Sequence, residues 1–262
     1  MNDLLDFLGD PQTWWGPRGL MVRSGNHLLI SVTAALVSVA IALPFAVYLG
    51  HRRVGSFAVS SLANVGRAVP TLAVVALAFP FSIRWGLGIG FWPTLVALIL
   101  LGLPPIVLNT HTGIVGVDRR AVEAARGVGM RSREVITGVE IPAALPLIIA
   151  GIRIAATQIV ATAALGALAG HNNLGVFVTS GIASRNTPAI VVGAVSIAGL
   201  SILTEFALTR VERRLSPWRR TPDEPAEPEL MGLVPETDPV PCGGDASILN
   251  LVPSPDQPRS GC

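Results

Sequence analysis

Five apolar stretches, each more than twenty residues long, constrain this chain more than any other feature: about 26–50, 57–79, 91–117, 145–168 and 189–209. A hydrocarbon core about 30 Å thick is crossed by roughly 20 residues of helix rising 1.5 Å each. All five stretches reach that length. None alternates apolar and polar residues with period two, and a membrane-barrel strand needs only about ten residues. Backbone amides in lipid must pair within their own segment, which leaves the helix. The expected fold is an all-α membrane protein with about five transmembrane helices. Composition agrees: 50% of the 262 residues are hydrophobic, 14% are charged, and the mean hydropathy is +0.58, which excludes an ordinary soluble domain.

Arginine sets the orientation. All 19 basic residues are Arg and none is Lys. Thirteen fall on one side of the predicted spans: Arg52 and Arg53, then Arg119, Arg120, Arg126, Arg131 and Arg133, then five between Arg210 and Arg220, then Arg259. Only Arg18, Arg23, Arg84 and Arg185 fall on the other, with Arg67 and Arg153 inside spans. The positive-inside rule places the thirteen in the cytoplasm. Residues 1–25 are then an extracytoplasmic N-terminal segment, 26–210 the transmembrane domain and 211–262 a cytoplasmic tail. Trp14, Trp15, Trp85, Phe91 and Trp92 gather at the outer interface, where amphipathic rings favour the headgroup layer. The N-terminus has no basic region followed by a small-residue cleavage site, so no removable signal peptide is expected. From about Ser216 the chain is crowded with Pro, Glu and Asp and has no apolar period, so a disordered tail is expected. Both cysteines, Cys242 and Cys262, lie there, and no disulfide framework holds the spans.

The one long polar insertion among the spans, residues 118–144, reads DRRAVEAARGVGMRSREVITGVEIPAA. Asp118 can cap a helix from Arg119, Gly127 and Gly129 can end it in a left-handed turn, and Ser132 can start a second short helix that Pro142 ends. Glu123-Ala124-Ala125, three residues, Gly129, nine residues, Val139, one residue, Ile141 and Pro142 resembles the EAA signature of binding-protein-dependent ABC importer permeases. Both spacings match, and Val139 and Ile141 replace Ile and Leu of the signature. The resemblance covers about 26–209 and implies a type I importer permease in the bacterial inner membrane. It implies that Glu123, Ala124, Ala125 and Gly129 dock onto a separate ATP-hydrolysing subunit. It also implies an extracytoplasmic solute-binding protein and a second permease subunit, identical or homologous. A basic helix pair binding anionic lipid is the competing reading, and the spacing match argues against it.

Nothing in the sequence points to an enzyme, a cofactor or a metal. A P-loop needs Lys and the chain has none, so ATP hydrolysis must come from a partner. An energy-independent carrier usually shows repeated halves and a buried coupling carboxylate. Here Glu205 is the sole in-span acid and five spans do not divide in two. Asn64, Arg67 and Pro70 in the second stretch, with Arg153 and Gln158 in the fourth, are the candidate residues of a translocation path, although interhelical hydrogen bonds explain such in-span groups equally well. The second stretch, the outer loop 169–182 and the Trp-rich N-terminus resemble permeases for glycine betaine, carnitine, choline and proline. Another small solute such as an amino acid is the alternative. No ring cluster for a quaternary ammonium occurs inside the spans, so specificity is expected in the solute-binding protein. His171, in the outer loop, is expected to be solvated.

Overall fold

The computed structural model describes residues 7, 9–68 and 70–215, apart from the side chains of residues 62, 65, 67, 68 and 215. Of the tail predicted at 211–262, residues 211–215 are helical and the rest lies outside the described residues. In chain order the helices are α1 (Pro11–Trp15), α2 (Leu20–His51), α3 (Ser56–Ala68), α4 (Thr71–Arg84), α5 (Phe91–Val115), α6 (Arg119–Gly127) and α7 (Ser132–Val135). A π-helical turn (Ile136–Glu140) then leads into α8 (Ile141–Thr162), which ends in a 3₁₀ stretch (Ala163–Ala169), followed by α9 (Gly175–Ala183) and α10 (Thr187–Leu215). Helix α5 is central: α2, α3, α4 and α8 all pack on it, while α10 packs on α8 and α9.

Three expectations change. The second apolar stretch is not one helix but the pair α3 and α4, broken at Pro70, whose backbone is extended at φ −66° and ψ 118°. Proline cannot donate into the ladder, so each half is too short to span by itself. Among the described residues, four helical segments are long and apolar enough to cross a bilayer, Pro11–His51, Phe91–Val115, Ser132–Ala169 and Thr187–Arg214, with Thr71–Arg84 a shorter apolar helix. Pro142 does not end the second loop helix. The π turn before it, closed by the Ile141 N–H on the Ile136 carbonyl, carries the chain straight into α8, so Ser132–Ala169 is one continuous helical rod. Finally, the segment 169–182, expected as an outer loop, contains most of α9, an unexpected helix.

Small residues let the central helices approach. A Cβ on Gly102 of α5 would lie 2.7 Å from Ser38 Oγ on α2 and 2.9 Å from Ile159 Cδ1 on α8, and one on Gly151 would lie 2.7 Å from Asn109 Cβ. Such contacts replace the hydrophobic drive that lipid removes. The outward faces carry Leu29, Leu36, Leu77, Phe81, Ile202 and Leu203, all exposed. In water this surface would be an aggregation liability. In a bilayer such a surface suits acyl chains or the helices of another subunit.

Candidate functional site

The loop between α5 and α8 is built by local rules. Asp118 accepts a hydrogen bond from the Arg120 N–H at 2.9 Å and so caps α6. The helix ends where the Gly129 N–H reaches the Arg126 carbonyl at 3.0 Å and the Met130 N–H reaches the Ala125 carbonyl at 3.1 Å. This is a Schellman stop with Gly129 in its left-handed position at φ +90°. The four-residue distance from Ala125 to Gly129 in the signature is therefore the distance from the last turn of the helix to its stop. Glu134 then reaches back to the Arg131 N–H at 2.7 Å and opens α7.

Helix α6 has two faces. Val122 and Ala125 are buried in a cluster with Val47, Ile114, Val117, Val135, Ala144 and Ile148, against which Met130, Val139 and Ile141 also pack. Glu123, Ala124, Gly129 and Pro142 are exposed. Glu123 accepts from Arg119 Nε at 2.8 Å one turn earlier, an ion pair largely in solvent. Val128 is 81% exposed at the tip. Of the four residues expected to dock, Ala125 thus faces the chain's own core, while Glu123, Ala124 and Gly129 face out beside an apolar tip.

Polar contacts tie this loop to the helix ends beneath it. Arg53 Nη2 donates to the Val117 carbonyl at 3.0 Å, and the His111 ring Nε2 lies 3.2 Å from the Val54 carbonyl, joining the ends of α2 and α5. Glu140, only 2% exposed, places Oε2 2.8 Å from His51 Nδ1 at the end of α2. Sequence reasoning missed Glu140. It has no basic residue three or four positions away, so its partner is visible only in three dimensions.

Of the five path candidates, the four whose side chains are described do not converge. Asn64 and Gln158 are exposed, Pro70 is exposed at the start of α4, and the Arg67 side chain lies outside the described residues. Arg153 is half-buried and held by α10: Nη1 lies 3.1 Å from Glu205 and 3.2 Å from Thr209, and Nε lies 3.3 Å from Glu212. The Thr157 hydroxyl donates to Glu205 at 2.6 Å. Arg153 therefore joins two helices, and its partners account for its position within a span. An apolar cavity of about 270 Å³ between α3, α4 and α5 is lined by Val59, Ala63, Val74, Leu100 and Pro104 among others, and not by Asn64, Pro70, Arg153 or Gln158.

At the end of the spans away from the α6–α7 loop, Asn173 is fully buried, donating to the Ala163 carbonyl at 2.7 Å and accepting from the Gly175 N–H at 2.8 Å. His27 Nε2 donates to the Val160 carbonyl at 2.8 Å, and Asn26 donates to the Asn172 carbonyl at 3.0 Å. Arg23 lies over the Phe177 ring at 4.5 Å. His171 is not solvated as expected: it is half-buried, its ring edge-on to Phe91 at 5.9 Å. Burial holds its imidazole below the ordinary range, partly opposed by a backbone hydrogen bond at Asn26.

Residues 38–217 match the family described as binding-protein-dependent transport system inner membrane component. The chain is 36% identical over 199 residues to a carnitine transport permease protein, OpuCB, of Listeria monocytogenes, covering 76% of this chain and 88% of that one. It is 35% identical over 217 residues to the glycine betaine/carnitine/choline transport system permease protein OpuCB of Bacillus subtilis, covering 83% and 95%. Among solved structures, a chain of the methionine ABC transporter MetNI in an inward-facing conformation superposes with a TM-score of 0.68 at 23% identity, covering 79% of this chain and 99% of that one.

Proposed function

The chain belongs to the inner membrane components of binding-protein-dependent transport systems, and from that membership we propose that it forms the translocation path for a small osmoprotectant, glycine betaine, carnitine, choline or proline. It is a multi-pass membrane permease, not an enzyme. The observation that carries the solute class is that its relatives, named for carnitine, choline and glycine betaine, align with it over nearly their whole length. An ATPase supplies the energy at the cytoplasmic face, a solute-binding protein delivers the solute outside, and a second permease subunit completes the path.

Docking of the ATPase falls to the outward face of α6 and its stop: Glu123, Ala124 and Gly129, with Val128 at the tip. Supporting this reading are the signature spacing and the combination of charged rim and apolar tip that suits a protein interface. Ala125, Val139, Ile141 and Pro142 serve the same loop from beneath, by holding it on the core or shaping its exit. The Arg asymmetry supports a cytoplasmic position for this loop, with the N-terminal segment outside and the tail inside. The test is growth at high osmolarity. In cells stripped of their own osmoprotectant uptake, the permease expressed with its companion ATPase and binding protein should restore growth and uptake of radiolabelled glycine betaine. Uptake of an amino acid with none of glycine betaine, carnitine, choline or proline would overturn the solute assignment.

A further inference from the structure

The buried stripe of the 132–169 rod changes step at one place. Val135, Glu140, Ala144, Ile148, Gly151, Ala155 and Ile159 are all buried. From Glu140 onward their spacing is three or four residues, as one face of an α-helix requires. Between Val135 and Glu140 it is five, and the π turn Ile136–Glu140 supplies the extra residue. In an uninterrupted α-helix the inward place after Val135 would go to Val139, and Glu140 would point about 100° away. The chain instead turns a carboxylate into an apolar cluster and leaves a valine half-buried. That choice is costly unless the carboxylate is paired. Its partner is His51, at 2.8 Å, with the side chains of His51 and Glu140 14% and 3% exposed.

Apolar contacts accompany it: Val47 and Ile114 cluster with Val135, Ala144 and Ile148. Such contacts are non-directional and tolerate sliding. The His51–Glu140 hydrogen bond is directional, and between α2 and the rod at this level it is the polar contact described. The ends of α2 and α5 are in turn joined through Arg53 and His111. A rotation of α7 that is not absorbed in the π turn must therefore pass into α2 and α8 together.

We propose that Glu140, held by His51, is the positioning residue that fixes the π turn in register and so transmits movement of the α6–α7 loop to α2 and α8. This rests on docking of the loop onto the ATPase. Without the bond, the turn can revert to α-helical register, with Val139 inward and Glu140 outward, and the loop can turn without carrying the membrane helices with it. A π turn at such a junction suits this role, since one residue of slack is what separates the two registers.

The test uses the full transporter in proteoliposomes, with ATP hydrolysis and radiolabelled glycine betaine uptake measured on the same vesicles. In His51→Phe, co-purification with the ATPase and ATP hydrolysis should stay near wild type, while uptake per ATP falls about tenfold, the scale of an ordinary coupling between sites. His51→Asn, whose amide nitrogen can stand where Nδ1 stands, should recover most of the ratio. If His51→Phe does not accumulate, Glu140→Asp carries the test: it keeps the charge but falls one methylene short, and the same loss of uptake per ATP is expected. An unchanged ratio in His51→Phe or Glu140→Asp overturns the proposal, as does an equal defect in His51→Asn and His51→Phe. Gly129→Asp, assayed alongside for co-purification alone, reports on docking: retained association there overturns the docking reading without touching the ratio measured at His51.

Discussion

At Gly129 the backbone conformation and the signature are the same fact. A side chain there meets no neighbour, so space is not the constraint; φ +90° is. Forcing an L-residue into that conformation costs about 1 kcal/mol. Gly129→Asp also adds a charge beside the exposed tip, so it should insert and accumulate normally yet lose ATPase co-purification. Ala125→Trp must behave differently, because Ala125 is buried in its own chain. Overpacking costs about 1–3 kcal/mol, so the expected outcome is a lower melting temperature in detergent with loss of abundance, measured before any coupling assay. His171 offers a pH test. Its imidazole titrates lower in the folded protein than the roughly 6.5 of an unfolded chain. The unfolded state therefore binds more protons below that value. Its contribution is fully present above about pH 6.5 and is lost as pH falls through the lowered folded value. A melting curve from pH 8 to pH 5 should fall less steeply in His171→Gln than in the wild type, and parallel curves would refute the assignment.

Between elements, the contact with most at stake is Arg153 against Glu205 and Glu212. Arg153→Met leaves two carboxylates facing an apolar helix and should cost about 2 kcal/mol, seen as a drop in melting temperature in detergent. Replacing the acids as well, Glu205→Gln with Glu212→Gln, should return much of that loss. If the triple variant is no more stable than Arg153→Met, the cluster does not act as a unit. This pairing also shows where sequence reading stopped. Arg153 and Glu205 were each visible as charges inside apolar stretches, but their pairing needs the α8–α10 packing. The apolar segments were legible because each is a continuous run, although the break of the second at Pro70 was not, and the Asp118 cap and the Gly129 stop because each depends on residues within one turn. The π turn was not, since Pro142 in isolation reads as a stop and only the continuing buried stripe shows that the helix passes through it. Likewise α9 reads as loop because nine residues, Gly175–Ala183, with Thr179 and Ser180 among them, are too few to announce a span.

For the whole molecule, the proposed orientation is one that a label can check: the Asp10 end and the α9 side are expected to face outward and the α6–α7 loop the cytoplasm. In a variant with Cys242 and Cys262 replaced by Ser, Gln12→Cys and Asn172→Cys, both at exposed positions, should react with an impermeant thiol reagent in intact cells. Arg133→Cys should react only after permeabilisation; labelling in intact cells would invert the topology. The continuous rod Ser132–Ala169 has a mechanical consequence. Arg153 stands near its middle, with roughly 30 Å of helix on either side. Anchored there to α10, the rod is a lever with nearly equal arms. A tilt of about 5° displaces each end by roughly 2.5 Å, in opposite directions. Whatever leans inward at the α7 end leans outward beside His171, so one rigid tilt would carry the two ends of the rod in opposite senses.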